Sequence, residues 1–336
     1  TGRYVLRKSS EEDFDFYNFT TSKPKNLKVK SGKDYVFTPN GRKLIFHTNK
    51  GLVVFDPITF DQLKAIDLPN IQHLSISSKG ELAVLLKDDV TVEIRDAETL
   101  NLKSTIALER SSDKLHWTPD GGSLIGIRNS VKRGESGTDF TIKHYSAKTG
   151  KLKTTFPGHS GFVFDVEFVN GKMLTASIDG VIKIWTLDGK STESAGMLIP
   201  LSNDQYVVTT PAGLFDATPE AMNLLHYVKE GELINLEQIK ESYYEPKLFS
   251  KLLELNSEPI RTSDNLANVK LHPKLSLKHP LKNDGKLGIN LGNNGGGIGR
   301  VIILINGKEV SSDVRSGANS TPDASSLEID YDITDH

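Results

Sequence analysis

The chain has 336 residues, a formal net charge of -2, 25% charged and 37% hydrophobic residues, the balance of an ordinary globular protein. That charge gives no reason to bind nucleic acid, and the longest aliphatic run, residues 301–305, is far short of the ~20 residues a membrane helix needs. The absence of cysteine excludes disulfides, thiolate metal sites and cysteine nucleophiles.

From the first residues onward a glycine turn recurs, at Gly2, Gly41, Gly80, Gly121 and Gly171. Each is followed by a β-prone run, such as Leu44-Ile45-Phe46 or Leu82-Ala83-Val84. A tight hairpin needs positive φ there, which glycine supplies. The ends of alternating strands keep the same frame at Tyr17, Phe55, Arg95, Tyr145 and Trp185. Both landmarks repeat at about 40 residues and stretch to about 50 once, which places an inserted loop at residues 129–139. Such a period predicts an all-β array of four-stranded units, the blades of a β-propeller, over residues 1–217. Four blades are complete and the chain opens inside another. In the last, strands are expected at 163–169, 172–177, 181–186 and, more weakly, 191–198. Residues 205–210 and 213–217 offer two further strands that would complete the ring, unless residues before Thr1 do.

One blade carries Gly158-His159 about 26 residues before Trp185. In this it resembles the WD-repeat family, with Thr186 where that family has Asp. The resemblance implies a buried hydrogen-bonded tetrad of His159, Thr175 or Ser177, Asp179 and Trp185, with Ser177 taken as the hydroxyl. The other blades carry Phe55, Arg95 and Tyr145 in place of Trp185, so only this blade is expected to hold the full set. His159 and Asp179 are read as members of that structural set and not as a catalytic pair.

Thr218-Pro219-Glu220 reads as a helix start running to about Tyr227. Asn235 with Gln238 has a capping-box shape and opens a second helix. Pro246 opens a third, over 247–255. Leu233, Leu236, Ile239 and Tyr243 form the predicted apolar stripe. Residues 218–256 thus make a helical linker. Residues 257–268 read as polar connection, and 257–336 as a partial β-sandwich. In it Leu271, Leu275 and Leu277 alternate with lysines, Asn306-Gly307 signals a hairpin, and Leu327, Ile329 and Tyr331 alternate with acids. The glycine-rich stretch 295–299 lacks phosphate-loop spacing and is read as a loop. The acids of the last strand lack calcium-loop spacing.

The order of Pro211-Ala-Gly-Leu-Phe-Asp216, Tyr243-Tyr-Glu-Pro246, Gly295-Gly-Gly-Ile-Gly-Arg300 and Ile305-Asn-Gly-Lys308 resembles the segment that joins propeller to protease in bacterial WD-repeat proteins with a C-terminal caspase-like domain. The resemblance implies a cytoplasmic, non-catalytic scaffold that binds a protein partner, with a caspase-like domain in the same polypeptide or complex. The chain is then expected to be one piece of something longer. No catalytic residue, cofactor or metal site is assigned, and Lys132, Arg133 and Glu135 in the inserted loop are the candidate partner contacts. The alternatives are a propeller enzyme with its site on the central axis, or a carbohydrate- or surface-binding module. His47, His73, His116 and His144 share no repeat position, which disfavours a symmetric metal site on that axis.

Overall fold

A computed structural model describes residues 4–8, 13–18, 25–29, 32–129, 140–229, 232–234, 236, 239–263, 271–278, 285–315 and 324–334. The chain is mainly β. It divides into two compact units: residues 1–200 with 249–258, and residues 201–248 with 259–336.

The first unit opens with an antiparallel sheet of β1 (Tyr4–Lys8), β2 (Asp13–Asn18) and β3 (Lys25–Lys28). Four antiparallel meanders of four strands follow without a break in chain order. The first is β4 (Asp34–Phe37), β5 (Leu44–His47), β6 (Gly51–Phe55) and β7 (Gln62–Asp67). The second is β8 (Ile71–Ile76), β9 (Glu81–Leu86), β10 (Thr91–Asp96) and β11 (Leu102–Ala107). The third is β12 (Lys114–Trp117), β13 (Ser123–Ile127), β14 (Ile142–Ser146) and β15 (Leu152–Phe156). The fourth is β16 (Val163–Val169), β17 (Lys172–Ser177), β18 (Ile182–Thr186) and β19 (Gly196–Pro200).

The meanders share one register. The pairs Leu44↔Phe55, Leu82↔Arg95, Leu124↔Tyr145 and Met173↔Trp185 join the second strand to the third in each, so the spaced landmarks of the sequence occupy equivalent positions. Gly41, Gly80, Gly121 and Gly171 all have φ between 65° and 79°; Gly2 lies outside the described residues. The fourth strand of the last meander starts at Gly196 and not near Ser191, because the Asp188 carboxylate accepts the N–H groups of Lys190 and Ser191 and holds that stretch in a turn.

Packing explains why the second strands β5, β9 and β13 are buried along nearly their whole length, while β17 is buried at alternate residues. Successive side chains on a strand point to opposite faces. Leu44 packs with Phe14, Val29 and Phe46, whereas Ile45 packs with Ile71, Leu74 and Leu82 of the next meander. Ala83 faces Leu115, Trp117 and Leu124, and Ile125 faces Val163, Met173 and Trp185. The first three meanders are therefore each sandwiched between neighbours, and every fully buried Leu or Ile in these layers contributes about 1.5–3 kcal/mol.

In the second unit β20 (Tyr206–Thr209) and β21 (Phe215–Ala217) form a hairpin. The helices are shorter than the sequence suggests. α1 is Pro219–Met222, a single turn. The Thr218 hydroxyl bonds Gln205 and the Tyr206 N–H and makes no cap bond, so nothing extends the helix, and Tyr227 enters β22 (Tyr227–Lys229), paired with β23 (Glu232–Ile234). α2 is Lys240–Tyr243 and α3 Leu248–Leu252; Asn235, Glu237 and Gln238 of the expected capping box lie outside the described residues. Leu236, Ile239 and Tyr243 are buried with Phe215 and Ile234. Leu233 is instead 73% exposed, because a two-stranded hairpin has one uncovered face.

The rest of this unit comprises two sheets. One is β24 (Lys274–Lys278), β25 (Lys286–Gly292) and β28 (Ser326–Asp332), in the order β24-β25-β28. The other is the hairpin β26 (Ile303–Ile305) and β27 (Lys308–Ser311). The turn between them has positive φ at both Asn306 and Gly307, as a type I′ hairpin requires. Ile289, Leu291, Ile298 and Ile303 form the core between the sheets. The Asn293 carboxamide oxygen accepts the N–H groups of Gly295 and Gly297, so this glycine run folds around its own asparagine. No helix among the described residues is long and apolar enough to cross a membrane.

Candidate functional site

Three groups of polar and aromatic residues in the first unit bear on function. The first is the set centred on His159, which precedes β16. His159 Nδ1 lies 2.8 Å from Asp179 Oδ2, its Nε2 lies 2.8 Å from Thr175 Oγ1, and Trp185 Nε1 donates to the same hydroxyl at 2.8 Å. The hydroxyl of this chain is Thr175, which is fully buried, and not Ser177. Ser177 sits where β17 ends, and its Oγ accepts the Asp179 N–H in the β17–β18 turn. Strand alternation places Ser177 on the same face as Thr175 but one pleat beyond the indole. Burial by itself would raise the Asp179 carboxyl. Bonds from His159 and from the N–H groups of Ser160 and Val181 outweigh it and hold the group below its ordinary range. The chain runs from Trp185 to Thr175 to His159 to Asp179, with the Thr175 hydroxyl bonded to both the indole and the imidazole and Asp179 Oδ2 to both the imidazole and the Ser160 N–H. This arrangement locks a turn against a strand.

The second group lies along the first strands. Asp34, His73, Lys114 and Asp165 pair with His47, Leu85, Ile127 and Ala176, each three residues beyond the equivalent positions Leu44, Leu82, Leu124 and Met173. The four are therefore one repeat position carrying four different side chains. Three of them reach the next first strand. The Asp34 carboxylate accepts the Leu74 N–H, His73 Nδ1 accepts the Leu115 N–H at 3.3 Å, and Lys114 Nζ donates to the Phe164 carbonyl at 3.3 Å. One pleat along, Ser75 Oγ accepts the Trp117 N–H at 3.3 Å. These are successive latches between meanders.

His73 Nε2 stands 3.7 Å from Asp34 Oδ2, and its ring lies 6.0 Å from that of His116. Burial, His116 and Lys114 push His73 down to about 3. Burial, against the opposing pull of Asp165, leaves His116 at about 4. Burial with Lys33 and Lys87 takes His47 to about 4, and burial raises Asp34. All three imidazoles are thus neutral at pH 7. A pocket of about 440 Å3 opens at this end, lined by Lys33, Asp34, His47, His73, Lys87 and Lys114 among others. Among the described residues no three His, Asp or Glu side chains are placed to hold a metal ion.

The third group is apolar and exposed. Phe162, Phe164 and Ile178 are 38%, 52% and 62% exposed, and the Ile178 N–H donates to the Phe162 carbonyl at 2.9 Å. Phe140 meets Phe162 edge-on at 5.5 Å. Asn129 bonds both the N–H and C=O of Val163, which lies between Phe162 and Phe164. Lys132, Arg133 and Glu135 lie outside the described residues.

Sequence reading missed the row along the first strands because its members have no residue type in common. Counting back from the hairpin glycines would have found it: seven residues before Gly41, Gly80 and Gly121, and six before Gly171, where the turn is one residue shorter. No protein-family model matches the chain, and no curated protein matches it.

Proposed function

We propose that the first unit is a WD-repeat-type β-propeller acting as a non-catalytic scaffold that binds another protein, and that it serves to position or regulate a caspase-like protease domain. The propeller reading is supported by four meanders in one register, by cores that alternate between them, and by first strands latched one to the next. The chain from Trp185 to Asp179 fits the resemblance to that family. The protease association rests on the resemblance alone.

The observation that carries binding is the exposed trio Phe162, Phe164 and Ile178. Contiguous exposed apolar side chains on a soluble protein mark interaction sites, and aromatic anchors dominate interface energy. The enzyme alternative has one feature in its favour, the pairing of Asp34 with His73. Yet His73 already accepts a backbone N–H at Nδ1 and sits at about 3, far from the value a general base needs at neutral pH.

The test is crosslinking mass spectrometry on the protein from its natural host, beside a variant carrying Phe162→Ser, Phe164→Ser and Ile178→Ser. Crosslinks from Lys114 or Lys183 to another domain or polypeptide, lost in the variant, are the expected result. Identical crosslinks in both proteins overturn the reading. So does turnover of a peptide or sugar substrate that disappears in His73→Asn.

A further inference from the structure

In the second unit an open groove of about 700 Å3 lies between the two sheets. Its two sides are built differently. From β24 and β25 only alternate residues line it: Leu275 and Leu277, then Ile289 and Leu291. Alternation means that these strands present a side-chain face. On the opposite side every residue of 298–304 lines it, the last two of them in β26. A strand that showed one face would contribute every second residue, so here the groove meets the backbone edge leading into and along β26.

This edge is open. β26 pairs with β27 on one side, and among the described residues it has no strand on the other. The floor is uncovered as well. Ile289 and Leu291 are buried by β26 and β28, but Leu275 and Leu277 remain 62% and 56% exposed. The three-stranded sheet therefore overhangs the two-stranded one by the width of one strand. An exposed edge and an exposed apolar floor side by side are what an added strand satisfies together: its backbone completes the edge and its alternate side chains cover the floor. Among the described residues the ionisable ones lining the groove are Arg300 and His272, both basic, and no acid joins them.

We propose that this groove is a strand-addition site. It takes an extended segment of a partner chain with apolar residues at alternate positions and a carboxylate that reaches Arg300. The segment pairs with β26 and seats its apolar residues on Leu275 and Leu277. The site belongs to the second unit and is independent of the propeller reading.

The experiment uses the full chain and labelled peptides of about seven residues, the span of a typical strand, read by fluorescence anisotropy. The probe peptide alternates Val with Thr and carries one Glu. A second form replaces Glu by Lys, and a third is N-methylated at alternate amides, which blocks strand pairing but keeps the side chains. The Glu peptide is expected to bind, with N-methylation and Leu277→Lys each weakening it by about tenfold or more. Arg300→Glu, at an exposed position that leaves the core alone, is expected to reverse the preference between the Glu and Lys peptides. Equal binding of the N-methylated form overturns the proposal, since the groove would then be merely apolar. Absence of binding at millimolar peptide overturns it, as does dimerisation of the chain that Leu277→Lys abolishes, which would make a second copy the occupant.

Discussion

Replacing Thr175 by Val keeps the shape of the side chain and deletes one oxygen. That oxygen bonds two groups at 2.8 Å each, Trp185 Nε1 and His159 Nε2. Thr175 and Trp185 are fully buried, and the His159 side chain is inaccessible, so water cannot replace the lost partner. Each buried polar group left without a partner costs about 1–3 kcal/mol. No cavity opens, so the whole effect is polar, about 2–6 kcal/mol for the two groups. For a unit of this size that lowers Tm by roughly 4–24 °C. Ser177→Ala is the control: it removes one 3.2 Å acceptor in a turn and should cost less than about 1 kcal/mol. The assay is urea unfolding, with Trp185 and Trp117 as intrinsic probes, and differential scanning calorimetry. If Thr175→Val unfolds within about 0.5 kcal/mol of the parent, or if Ser177→Ala costs as much, the assignment of Thr175 as the central hydroxyl is wrong.

Other outcomes follow from the same geometry. His144 is buried, both ring nitrogens lack a hydrogen-bond partner, and it stacks on Phe156; His144→Phe should raise stability at pH 7 by roughly 1 kcal/mol or more in urea unfolding. Burial, with Lys153, holds the His144 value below 6.5 in the folded state. The unfolded chain therefore binds more protons below that pH, so this group's contribution is intact above about 6.5 and is lost as pH falls. The slope of stability between about pH 6.5 and 5 should accordingly be shallower in the variant, and equal slopes would contradict the account. Gly80→Ala meets nothing within 4 Å and carries only the cost of φ +79°, about 1–2 kcal/mol. Gly51→Ala would set a Cβ 2.1 Å from the Ile66 carbonyl oxygen and should not yield folded protein; a soluble variant with native thermal unfolding would show that β6 and β7 are packed otherwise.

The sequence by itself determined the repeat. Gly41, Gly80, Gly121 and Gly171 could be aligned because a hairpin with positive φ tolerates few other residues, and Phe55, Arg95, Tyr145 and Trp185 because each lies at or next to the end of its strand. These are local constraints, and local constraints are written in neighbouring residues. The hydroxyl in the His159 set was not legible. Thr175 and Ser177 both alternate onto the right face, and only the position of the Trp185 indole across the β17–β18 ladder selects between them. The helices after residue 217 were over-read for a related reason. Thr218 has the chemistry of a cap, but in the folded unit Gln205 and Tyr206 take its hydroxyl, and a distant partner overrules a local propensity. The row along the first strands lay furthest from view. Asp34, His73, Lys114 and Asp165 share a place and not a chemistry, so no pattern of residue types announces them; side-by-side packing of β4, β8, β12 and β16 made them one row. The groove beside β26 is likewise tertiary. Leu275 and Leu277 alternate as a buried face should, and they are exposed because the sheet opposite them is two strands wide and ends before it covers them.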